Sequence, residues 1–115
     1  MITKGVDRCL FAFPPEEWAA FKANIKANAD LSARGRQLSR MFFSMAFEAT
    51  LDRQGRVLIP PKLARYAGLK RDVTVAGVDD RLEIWDTEEW NRYVEGADDS
   101  FAEIIEEFAG RELGA

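Results

Sequence analysis

Residues 5–18 read GVDRCLFAFPPEEW, and residues 77–90 read GVDDRLEIWDTEEW. At an offset of 72 residues, Gly, Val, Asp, Leu, Glu, Glu and Trp coincide. The whole chain has 115 residues, the length of one ordinary domain. A repeat inside one domain predicts two halves that build a shared core about a pseudo-twofold axis.

Both copies carry the same order of signals, the end of a strand, a turn, a strand and a helix, so residues 3–18 are expected to superpose on residues 75–90. In the first, the run CLFAF over residues 9–13 predicts a strand, and Pro14 and Pro15 stop it. The prolines also open a helix, with Glu16 and Glu17 in the first turn where the helix dipole favours anions. Trp18, Phe21 and Ile25 then fall on one stripe of that helix. In the second copy, residues 73–78 and 81–85 predict two strands joined at Asp79 and Asp80. Thr87 is placed as the cap of a helix bearing Trp90, Tyr93 and Val94.

Between the two copies a linker helix is expected from Ser32, with Leu38, Met41, Phe42 and Met45 on its apolar stripe. Phe47, Ala49 and Leu51 alternate with Glu48, Thr50 and Asp52, which predicts a half-buried strand. DRQGR at residues 52–56 predicts a tight turn, and Val57, Leu58 and Ile59 the returning strand. Pro60 and Pro61 start a short helix that Gly68 ends. A separate last helix is expected to carry Phe101, Ile104, Ile105 and Phe108, with Glu103, Glu106 and Glu107 on its outer face. One complete unit thus spans residues 47–95. Residues 1–46 read as the back half of a first unit, without its hairpin, plus the linker helix; residues 96–115 read as the C-terminal helix.

Composition narrows the chemistry. There is no histidine, which removes the commonest general base and metal ligand. The one cysteine, Cys9, cannot close an internal disulfide, and its place in a strand predicts a small buried thiol. No catalytic constellation, metal site or cofactor is indicated, so an enzyme is not expected. No long uncharged apolar run predicts a membrane span, and the first residues lack a signal peptide's apolar stretch, so a cytoplasmic protein is expected. Charge is unevenly placed. Residues 52–71 carry six basic and one acidic side chain, a net of +5, whereas residues 72–115 carry three basic and fourteen acidic ones, a net of −11. Salt limits the reach of the remote acids to ~8 Å, so the basic segment can meet a polyanion although the whole chain has a net charge of −4.

The motif D-x-x-G-R-x-x-I-P at residues 52–60, followed by L-x-x-Y-A-G-L at residues 63–69, resembles the SpoVT/AbrB-type DNA-binding unit as it occurs in the MraZ family. Thr3, Lys4, Gly5, Asp7, Cys9, Leu10, Pro14 and Trp18 match the end of that family's first unit. Residues 75–90, with Glu83, Ile84 and Trp85, match the end of its second. The resemblance implies an α+β fold in which tandem units interleave their hairpins into a small double-psi, swapped-hairpin β-barrel with flanking helices; here the first unit is incomplete. It also implies a sequence-specific transcriptional regulator of the division and cell-wall gene cluster. Its partners are double-stranded DNA and further copies of itself, assembled in a ring near the nucleoid. By the same resemblance Arg53 and Arg56 face DNA from the turn, Lys62 and Arg65 reach phosphates from the short helix, and Asp52 and Gly55 shape the turn. Arg56 has a competing role as the ion-pair partner of Asp52 or of a neighbouring subunit. Two other functions stay open: a module that co-assembles with longer copies, and an AbrB-type antitoxin.

Overall fold

The computed structural model describes residues 1–109. Strands β1 (Ile2–Lys4), β2 (Leu10–Ala12), β3 (Val73–Val78) and β4 (Arg81–Asp86) form one antiparallel sheet in the order β1-β2-β4-β3. The helices are α1 (Pro15–Asn28), α2 (Ala33–Phe43), α3 (Pro61–Tyr66) and α4 (Thr87–Ala109). The fold is therefore α+β, built on a small antiparallel sheet.

The repeat has a geometric counterpart at the centre of that sheet. Phe11 of β2 pairs with Glu83 of β4, which is its own counterpart at the 72-residue offset. On either side, Leu10 pairs with Ile84 and Ala12 with Leu82, each the other's counterpart. An antiparallel pair in which a residue faces its own image has a local twofold axis through that pair. The aromatic residues obey the same relation. Phe13, Trp18 and Phe21 pack with ring centroids 5.8, 4.7 and 5.8 Å apart. Their counterparts Trp85, Trp90 and Tyr93 pack at 5.4, 5.1 and 6.3 Å. Phe13 and Trp85, the residues nearest the sheet, are both buried.

The two copies differ at their turns. Thr3 pairs with Phe11, whereas its counterpart Val75 pairs with Ile84, one residue beyond Glu83. The first turn holds Asp7 and Arg8 both at positive φ; in the second only Asp79 is. One residue of register separates the hairpins.

Alternation along β2 divides the core between the two faces of the sheet. Leu10 joins Ile2, Leu63, Ala67 and Ile84, and Cys9, Phe11 and Phe13 join Trp85. Burial, with Glu83 and Asp7 nearby, pushes the Cys9 thiol pKa up to about 12.

Three expectations require correction. Residues 47–51 and 57–59 are not strands of the sheet. Phe47 makes one isolated bridge with Ile2, through N···O contacts of 2.9 and 3.0 Å, and the rest of both arms has no ladder. A lone two-stranded ribbon is marginal in water. The apolar alternation is used instead to pack Ala49, Val57 and Ile59 against the core. Thr87 is not the cap of α4. Asp86 precedes the helix and accepts from the Glu89 amide at 3.3 Å, while the Thr87 hydroxyl lies 2.9 Å from that of Thr74. The two C-terminal helices are one: α4 runs without a break through Gly96. A single helical glycine costs only ~1 kcal/mol, and the helix formers around it outweigh that. The last residues of the expected 96–115 helix, 110–115, lie outside the described part.

Candidate nucleic-acid interface

The turn at residues 52–56 is closed by backbone bonds from the Asp52 amide to the Arg56 carbonyl at 2.8 Å and from the Gly55 amide to the Asp52 carbonyl at 3.0 Å. The Asp52 carboxylate accepts three further bonds. Its Oδ1 takes the amides of Gln54 and Arg56 at 2.8 and 2.9 Å, and its Oδ2 takes Arg56 Nε at 2.9 Å. Aspartate is suited to this role because its short side chain reaches amides two residues on. The Arg56 amide is the largest influence holding the carboxyl below its ordinary range. Gly55 has φ +76, which a side chain would strain, although nothing lies within 4 Å of the place its Cβ would occupy. The glycine therefore serves the backbone angle and not a close approach.

This turn presents its cations outward. The Arg56 side chain is 74% exposed, and Asp52 engages only its Nε. Among the described residues its terminal nitrogens have no partner. Arg53 is exposed as well. Lys62 and Arg65 are exposed on α3, which the buried Leu63 anchors to the core. No hydrogen bond or ion pair ties these two to the turn. The ion pair between Arg56 and Asp52, a competing role for that arginine, is present, and it leaves the end of the guanidinium free.

A second group of cations escaped sequence reasoning. Lys4 and Arg8 both lie over the Tyr66 ring, at 5.1 and 5.7 Å from its centroid. The Tyr66 hydroxyl donates to the Gly5 carbonyl at 2.6 Å and so ties α3 of one copy to the first turn of the other. Arg8 and Arg65 also line a recess of 310 Å³ together with Asp7, Glu89 and Lys70, the last ion-paired with Asp86 at 3.4 Å. The sequence held no signal for this grouping, because Gly5 and Tyr66 stand 61 residues apart. Among the described residues no cluster of His, Cys, Asp and Glu is arranged to hold a metal ion, and no helix is long and apolar enough to cross a membrane.

A protein-family model described as "MraZ protein, putative antitoxin-like" matches residues 42–112 of this chain. The match covers more than half of the chain and includes the 52–56 turn, α3, β3, β4 and the described length of α4.

Proposed function

The chain belongs to the MraZ family, and we propose that it is a sequence-specific, DNA-binding transcriptional regulator. The 52–56 turn is its reading element. The observation that carries this is the clamped turn itself. Asp52 spends its carboxylate on two amides and on Arg56 Nε, which pre-orients the guanidinium while its outer nitrogens stay available. A fork held in that way suits the two acceptors of a guanine edge or a phosphate. Arg53 adds a second contact from the same turn, and Lys62 and Arg65 supply phosphate contacts. The chain acts by binding, not by catalysis, and needs no cofactor. Copies associate into a ring, in which unladdered hairpin arms find strand partners in a double-psi barrel and weak single-site contacts add up on repeated DNA boxes. The setting is the cytoplasm, at the nucleoid, and the targets are genes of the division and cell-wall cluster.

Titration of DNA with alanine variants tests this. Arg56→Ala is expected to cost ~1–3 kcal/mol and to relax preference at one base pair. Arg53→Ala should follow with a smaller loss. Lys62→Ala should weaken all sequences alike and reduce the salt slope by about one. Unchanged affinity in a folded Arg56→Ala protein would remove the turn from the interface.

The family's description as antitoxin-like favours a second reading, in which the C-terminal segment captures a toxin. Such segments are commonly disordered until bound, whereas α4 is helical through Ala109, so the regulator is preferred.

A further inference from the structure

Helices α1 and α2 form an antiparallel hairpin. Trp18 at the start of α1 meets Phe43 at the end of α2, with centroids 5.8 Å apart, and Phe21 meets Phe42 at 5.1 Å. The connection is drawn tight at the buried Gly35, where a Cβ would come within 2.2 Å of the Asp30 carbonyl oxygen. The pair leaves an open groove of 680 Å³. Ala19 and Ala23 on one side and Phe43 on the other give it an apolar floor, and Leu31, 87% exposed, stands at its end. Lys22, Lys26, Arg36 and Arg40 also line it, with one acid, Asp30, whose carboxylate is taken up by the Ser32 amide and hydroxyl. Among the described residues none of these four cations is paired with a carboxylate. The contributing positions follow i, i+3, i+4, i+7 spacing on both helices, so each presents one continuous face.

The same chain carries a surface of opposite character. The first half of α4 lies on the sheet, through Trp90 and Tyr93 against Trp85. Beyond Gly96, Phe101, Ile104 and Ile105 are 60%, 41% and 39% exposed on one stripe. At ~100° per residue, Asp98 and Glu107 fall on opposite flanks of that stripe. Among the described residues neither takes part in an ion pair.

We propose that the distal half of α4 of one copy docks into the α1–α2 groove of a second copy. Phe101, Ile104 and Ile105 cover the apolar floor, and Asp98 and Glu107 meet the basic rim. The result is a three-helix packing across the interface. Groove and helix are different surfaces, so the contact is heterologous; repeated head to tail, it closes a ring or extends a filament. The inference rests on the self-association proposed above and not on the DNA contacts of the turn.

The test uses the full chain, with two charge-reversal pairs at exposed positions, K26E/R40E in the groove and D98K/E107K on the helix. Sedimentation over the micromolar range gives association, and circular dichroism checks the fold. Each pair alone should weaken self-association about tenfold or more. An equimolar mixture should recover association, because an acidic groove then meets a basic helix. Phe101→Ser, which removes an anchor without changing charge, should reproduce the loss. Association unchanged in K26E/R40E would overturn the proposal, as would a loss that mixing does not repair. A DNA titration of the same variants separates the two readings. Loss of DNA affinity in K26E/R40E, with mass unchanged, would make the groove a nucleic-acid face and refute the docking.

Discussion

Asp52 links the shape of the turn to its chemistry. Without its carboxylate, the amides of Gln54 and Arg56 and the Nε of Arg56 all lose their acceptor. Because its pKa is lowered on folding, the order it supplies is present above the ordinary aspartate value and is lost as pH falls through the depressed one. An NMR titration should give an Asp52 midpoint below that of a free aspartate, with the Gln54 and Arg56 amides shifting at the same midpoint. An ordinary midpoint would mean that something other than Asp52 holds the turn. These roles were legible in DRQGR because they are local: an aspartate, a glycine and an arginine within five positions build one loop. The seat of Lys4 and Arg8 on Tyr66 was not legible, since it depends on a contact between distant segments.

At the scale of elements, helix starts were read well wherever a proline or Ser32 marked them. α1 begins at Pro15, α3 at Pro61, and the Ser32 hydroxyl accepts from the Gly35 amide at 3.1 Å. β3 and β4 fall at 73–78 and 81–86, against the 73–78 and 81–85 expected. β1 was legible only through the 72-residue offset, as the end of a strand matching residues 75–78, because three residues are too few to show alternation on their own. The hairpin arms alternate and yet form no ladder: alternation reports which side chains are covered, not whether a backbone has a partner. The paired aromatic triads give the element-scale prediction. Phe13→Ala and Trp85→Ala occupy equivalent buried places, so each should cost ~3–5 kcal/mol. Denaturant melts would check this. A large loss in one variant and none in the other would show that the two copies do not share the load.

Over the whole molecule, the pseudo-twofold axis through Phe11 and Glu83 relates folds but not charges. The basic turn and α3 stand in a segment of net +5, and the acidic side chains gather in residues 72–115. α4, with its exposed acidic residues, is therefore expected to stay clear of a polyanion that the turn engages. Mapping amide shifts of the labelled chain during titration with duplex DNA separates a DNA-reading turn from a purely structural one. The predicted result is that residues 52–56 and α3 move first and saturate together, losing their response as salt is raised, while the α4 residues from Asp98 onward stay still. Saturating DNA that leaves residues 52–56 unmoved would contradict the assignment of this turn as the DNA-reading element.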